Sequence, residues 1–290
     1  MNHKDHKDPK RKRLVILGKC LAPLSALMAA LWLVAPVRLD AQRGQAGRGG
    51  AAQGRGDVPA PPTPQAVAPF DLTGYWVSII VDEWRFRVTP QKGDIPYLPI
   101  NPAARQAANA WDPAKDEADG KPCKAYGAVG VMQRPGRLHI TWDNANTLRI
   151  DFDAGTQSRL LHFGPAPAQL GEPTWQGYSV AEWQVPGRGR RGAPSPGPSD
   201  VSPPIRPGTL KVVTTNMLPG YIRKNGVPYS GNAVLTEYVN RLAGQEGDSY
   251  IALTATVDDA TYLTGPFIRT YTFKKLPDAS GWEPTPCWTR

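Results

Sequence analysis

Two histidines, His139 and His162, stand on neighbouring stretches of alternating apolar and polar residues, with Asp143, Asp151 and Asp258 as acidic candidates for a partner. An imidazole beside a carboxylate can move a proton near neutral pH, and two imidazoles can share a metal ion. No His-x-His or His-Glu-x-x-His spacing accompanies them, so strand histidines that are hydrogen-bonded or solvated are the simpler reading, and no metal is expected. Asp258 is followed by Asp259. Successive strand residues point to opposite faces, which would turn one of these carboxylates inward; a turn that caps the next segment accounts for the same pair. Asp151-Phe152-Asp153-Ala154-Gly155 opens like a calcium loop but lacks the later acidic positions, and it reads as a hairpin turn. No Gly-x-Ser-x-Gly elbow, phosphate loop or dinucleotide fingerprint occurs, so no catalytic residue and no cofactor is assigned.

The second chemical resource is aromatic. Trp76, Trp84, Trp142, Trp175 and Trp183 all fall on expected strands. Converging on one cavity, they would hold an apolar or aromatic ligand or stack on a sugar. Filling the core of a wide β-domain is the other use of the same side chains.

The elements that must position these residues are mostly strands. Alternation or β-branched and aromatic enrichment marks 73–81, 137–143, 147–153, 156–163, 175–185, 209–217, 232–242, 249–257 and 267–275, with 84–88 as a continuation of the first after a break. Asn144-Ala145-Asn146 and Asp153-Ala154-Gly155 turn the second, third and fourth into an antiparallel meander, and 245–248 and Asn225-Gly226 mark further hairpins. One helix is expected at 102–111, where Asn101 is a good N-cap and Pro102 suits the first helical position. Pro113 then pushes Asp112 out of helical geometry. No βαβ alternation and no fixed repeat appear, which leaves an antiparallel barrel or a β-sandwich to deal with the sheet edges.

The ends and linkers differ in composition. The first 13 residues are polar and basic, and a mostly apolar stretch follows to Val37, broken by Lys19. This reads as a signal peptide over 1–41, cut after Ala41, or as an uncleaved N-terminal anchor; either way the remainder lies outside the cytoplasm. Residues 42–69 are rich in Gly, Ala, Gln and Pro and read as a disordered tether, and 186–208 reads as a disordered loop inside the 70–290 domain. Cys20 leaves with the signal, so Cys123 and Cys287 form the one expected disulfide.

The 290 residues carry 34 Lys and Arg against 25 Asp and Glu, a formal +9. Five of those net charges lie on 1–41, two on 42–70 and three on 186–208, which leaves about −1 for the folded remainder. The basic balance therefore belongs to targeting and linker segments, and a nucleic-acid partner loses its support.

Residues 71–76, DLTGYW, place a Gly-x-Trp at the start of the first strand. This resembles the signature of lipocalins and related calycin barrels. The resemblance implies a lipocalin-like barrel with Trp76 at its floor, paired with an arginine of the last strand, here Arg269. The terminal helix usual in lipocalins is not found. DLTGYW, PTWQGYSVAEW at 173–183, LKVVTT at 210–215 and VDD followed by YLTGPF at 257–267 occur in this order. Together they resemble a large family of secreted bacterial proteins of unknown function, common in acidobacteria. That likeness implies a periplasmic or secreted β-rich domain of a Gram-negative bacterium and brings no activity. The Trp-Glu-Gly-Asp turn frequent in that family is replaced here by Trp183-Gln184-Val185-Pro186.

The combined reading is an exported barrel that binds a small apolar or amphipathic ligand. Trp76, Trp84, Trp142, Trp175, Trp183, His139, His162, Asp258 and Arg269 are its candidate binding residues. An acid–base enzyme using Asp and His, or an assembly protein of the cell envelope, are the alternatives. Membrane contact is expected only through a retained signal.

Overall fold

A computed structural model describes residues 60–81, 83–88, 90–186 and 207–289. The expected signal peptide, the tether up to residue 59 and most of the Arg/Pro loop lie outside the described residues.

Nine strands close into a barrel: β1 (Gly74–Ile79), β2 (Arg137–Asn144), β3 (Thr147–Phe152), β4 (Gln157–Phe163), β5 (Tyr178–Gln184), β6 (Thr209–Thr215), β7 (Val234–Ala243), β8 (Ser249–Asp258) and β9 (Phe267–Lys275). Each strand pairs with its neighbours in sequence, and β1 closes on β9 with Trp76 opposite Lys275 and Ile79 opposite Thr272. Closure excludes the sandwich. Eight joints are antiparallel as expected, but β4 and β5 run parallel over three residue pairs. An odd number of strands requires this, since alternating directions cannot return to the start after nine steps. Parallel neighbours need a long crossover, which residues 164–177 supply.

The connections divide unequally between the two ends. One end, near Asn144 and Ala243, has two tight turns and is also where β5 ends and β6 begins, so the connection over 185–208 leaves and returns there. The other receives the long segment between β1 and β2, the segment between β6 and β7, and the arriving crossover. In place of one helix, the described residues form four short α-helices: α1 (Trp84–Val88), α2 (Pro102–Ala110), α3 (Pro113–Ala118) and α4 (Ala128–Val131). Asn101 caps α2 as expected, its Oδ1 accepting from the Ala104 amide at 3.0 Å. Asp112 leaves helical geometry before Pro113 and then caps α3. The expected strand at 84–88 is helical instead. The Phe86 and Arg87 amides bond the Glu83 carbonyl, the local pairing of a helical turn, and the Arg87 side chain donates to the carbonyls of Ile79 (3.0 Å) and Gln133 (3.1 Å).

The tether also ends earlier than composition implies. Trp183 donates its indole N–H to the Pro64 carbonyl at 3.0 Å, the Gln65 amide bonds the Ala145 carbonyl, and Val67 and Ala68 pack on the core. The last ten residues of the expected tether thus cover the tight-turn end. The C-terminal tail runs back along the outer wall. Trp282 meets the rings of Tyr75 and His139, residues Thr285–Pro286 pair with Ala154–Gly155, and Cys287 is disulfide-bonded to Cys123.

Inward side chains fill the barrel. Leu138, Ile150, Leu161, Leu210, Val239 and Leu253 help to line a residual cavity of about 20 Å³, entirely apolar. That is space for about one water, with no polar group to hold it. Beside this apolar zone, Arg159 of β4 reaches past β5 and β6 to Glu237 of β7, both buried. Its guanidinium donates to Oε1 at 3.1 Å and Oε2 at 2.6 Å, and to Thr214 Oγ1 at 3.2 Å, which bonds Ser179 Oγ at 2.8 Å. Removing one partner of such a pair strands a desolvated charge, whereas replacing both with apolar residues is nearly neutral. Glu237→Gln is therefore expected to lower urea-unfolding stability by about 3–5 kcal/mol. The double variant Arg159→Met, Glu237→Leu should recover most of it. A loss below about 1 kcal/mol for Glu237→Gln would place the pair in the weak class of solvated surface bridges.

Candidate functional site

The nine candidate binding residues do not converge on one cavity. Trp76 is fully buried at the tight-turn end; its indole N–H donates to the Leu72 carbonyl at 2.9 Å. The cation over its ring is Lys275, 5.3 Å from the ring centre and bonded to the Thr73 carbonyl, in place of the expected Arg269. Arg269 stands six residues back along β9, about 20 Å away at a rise of ~3.3 Å per residue. Trp142 and Trp183 meet Phe163 at 5.5 and 5.6 Å, and Phe70 adds an edge contact to Trp183, so these rings plug the same end as Trp76. A groove of about 500 Å³ beside Trp183 is walled by the chain's own Pro62, Pro64 and Val67. Trp175 lies on the crossover, where its carbonyl accepts from the Ala128 amide.

Both histidines face outward. His139 stacks on Tyr75 at 4.1 Å, and His162 on Tyr178 at 4.7 Å, where burial lowers its pKa. Register puts two strand spacings and four residues between them, about 16 Å. Asp258 is exposed at the end of β8, while Asp259 is buried and caps a turn, accepting from Ser230 and from the Thr261 amide. Asp151 stands opposite His139 in the β2–β3 register but accepts from Arg149 and Ser158, Asp143 acts on His162 through space, raising its pKa against burial, and Asp258 and Asp259 lie at the end of the barrel away from His162. Among the described residues, no group of three or more His, Cys, Asp or Glu is placed to hold a metal ion.

Four of the nine, Trp84, Trp175, Asp258 and Arg269, lie toward the end that receives the β1–β2 segment, and Trp84 and Arg269 flank one cluster there. Glu83 precedes α1 and bridges two arginines: its Oε1 accepts from Arg223 Nη2 at 3.0 Å and its Oε2 from Arg269 Nε at 2.8 Å. Arg223 belongs to the hairpin of Gly220–Arg223 and Val227–Tyr229, turned by Asn225-Gly226 as expected. Gly226 has φ +85°, and a Cβ there would strike the Trp111 side chain. Asn225 ties the hairpin to the loop after α1 through the carbonyls of Gln91 and Asp94. Gln133, after α4, contributes its carbonyl to Arg87, and the next residue is the buried Arg134. Four guanidinium groups, of Arg87, Arg134, Arg223 and Arg269, thus gather here. Among the described residues, Glu83 is the one carboxylate bonded to any of the four.

Burial makes this cluster costly and reactive toward anions. Arg134 is 6% exposed and Arg223 1%. Among the described residues, Nε and Nη2 of Arg134, and Nε and Nη1 of Arg223, have no hydrogen-bond partner. Burial pushes the pKa of Arg134 down to about 10, an effect that nearby Arg87 adds to and Tyr126 and Tyr271 oppose. Burial also lowers that of Arg223, with Glu83 acting in the opposite sense. At about 10, Arg134 remains cationic at neutral pH. The rings of Phe86 and Phe267 back the guanidiniums of Arg223 and Arg269 at 4.0 and 4.7 Å. A cleft of about 410 Å³, walled by Glu83, Arg87, Ile268, Arg269, Thr270 and Tyr271, opens onto the cluster. Neither Arg134 nor Arg223 lines it; Arg223 meets it through Glu83. Glu83 itself holds φ +53°, a strained conformation for a residue with a Cβ.

Sequence reading missed Glu83, Arg87, Arg134 and Arg223. The one signal was the alternation of Trp84, Arg85, Phe86, Arg87 and Val88, which has the period of a strand. On the far side of Arg134, Lys224 sits over the rings of Trp288 (5.0 Å) and Tyr126 (5.7 Å). Burial, then Arg134, pushes its pKa from 10.5 down to about 8. Between these two values the unfolded chain holds a proton that the folded one has shed, so stability due to Lys224 rises with pH across that window. Urea midpoints of wild type should show this rise and those of Lys224→Met should show less of it; equal slopes would contradict it. No family model, curated protein or solved structure matches the chain.

Proposed function

We propose that the protein is an exported binding module for a small amphipathic molecule with an anionic head, held at the arginine end of the barrel. The observation that carries this reading is the carboxylate of Glu83, at the wall of the cleft, bridging Arg269 and the buried Arg223, which shows the cluster already holding one anionic group. Desolvated guanidinium groups bind carboxylate or phosphate far more strongly than exposed ones, because water no longer competes. The cleft has the volume of a small-molecule site, while the barrel interior, at about 20 Å³, has room for no apolar ligand. The apolar part of the ligand therefore lies outside the barrel, against exposed Ile268 and Trp84. Export is supported by the apolar N-terminal run and by the paired Cys123 and Cys287, which suit an oxidising compartment.

In this reading Glu83 is displaced when the ligand's head group takes its place on Arg269 and Arg223. Titration calorimetry with decyl phosphate tests it. Wild type should bind saturably, Arg269→Ala should weaken binding by about tenfold or more, and Glu83→Gln should tighten it. Absence of saturable binding, or equal affinity in wild type and Arg269→Ala, would overturn the proposal.

A further inference from the structure

The helix α1 is inside out. It buries Arg87 and presents Trp84 and Val88, four residues apart on one face, at 60% and 52% exposure. Val81 is more exposed still, two residues past the last residue of β1, which pairs with β9. Ile268 of β9 is half exposed and forms part of the wall of the arginine cleft. Large exposed apolar side chains gathered around a cationic opening mark an interaction surface.

We infer that this end of the barrel docks on the surface of a bilayer containing anionic phospholipid. Trp84, Val81, Val88 and Ile268 enter the interface, and a lipid phosphate takes the arginine cleft. The inference rests on the proposed anion site and names the source of its amphipathic ligand. Three features favour a membrane as the occupant. Tryptophan is at its best at the boundary between lipid and water, where its ring is buried and its N–H stays wet. Juxtaposed arginines are drawn to a surface of anionic head groups. A second copy of the chain meeting this face symmetrically would set the same guanidinium groups against each other, like charge on like.

The test uses the chain from residue 59 onward, which contains every strand of the closed barrel and the disulfide, and omits the apolar N-terminal run. It is sedimented with phosphatidylcholine vesicles with and without phosphatidylglycerol. Binding is expected only when phosphatidylglycerol is present, and should weaken as salt is raised. Trp84→Ser with Val88→Ser should reduce it by roughly tenfold or more, since both side chains are exposed and their loss removes interfacial burial without disturbing the core. Lipid brominated along its chains should quench wild-type fluorescence more than that of Trp84→Phe. Equal binding to neutral vesicles, unchanged binding of the double variant, or a salt-resistant dimer that covers the face would overturn the inference. Decyl phosphate separates the two levels: saturable binding of this monomer without vesicle binding defeats the membrane inference and leaves the anion site standing, and loss of both defeats the site as well.

Discussion

A ring of nine strands cannot alternate direction at every joint, and this parity constraint shapes the rest of the molecule. One seam must be parallel. It falls between β4 and β5, and at three residue pairs it is much shorter than the ten-pair joint of β7 and β8. The buried pair of Arg159 and Glu237 spans the same seam from inside, running from β4 past β5 and β6 to β7, with Ser179 and Thr214 bonded beneath it. Where backbone pairing is shortest, a charge-assisted side-chain strap takes over part of the task. The crossover that the seam demands delivers residues 164–177 to the end that already carries the long connections.

That asymmetry sets a sealed end against an open one. The tight-turn end is sealed by Trp76 under Lys275, by the rings of Phe70, Trp142, Phe163 and Trp183, and by the chain's own 63–68 segment. The interior is packed almost without a void. The opposite end keeps a cleft and concentrates positive charge there. The formal +9 of the whole chain gives no hint of this, because its excess sits on segments outside the barrel and the folded part is close to neutral. Location matters more than total: buried guanidinium groups attract an anion more strongly than solvated ones.

Much of the scaffold was legible because it follows local rules. All nine barrel strands carry their own alternation, and Phe267–Lys275 matches its expected bounds. Asn101 with Pro102 announced α2, and Asn225-Gly226 announced its hairpin. The cysteine count gave the disulfide. The site was far less legible, because its parts are distant in sequence and acquire meaning only through tertiary bonds. The segment 84–88 alternates like a strand yet forms a helix, with Arg87 buried against the carbonyls of Ile79 and Gln133. Arg134 and Arg223 look like ordinary surface cations in sequence and are buried in the fold. The lysine at the end of β9 serves the buried Trp76, which freed Arg269 for Glu83 at the other end. The parallel seam was invisible locally, since it arises from a count of strands and from no single residue.

The central claim is that the arginine cleft, and not the barrel interior, receives an amphipathic anion. A crystal structure of the protein with decyl phosphate tests it most directly. The account predicts phosphoryl oxygens within about 3 Å of Arg269 and Arg223, with the Glu83 carboxylate turned away from both and the alkyl chain along Ile268 toward Trp84. A ligand lodged inside the barrel or in the groove beside Trp183, with Glu83 still bridging Arg223 and Arg269, would contradict it.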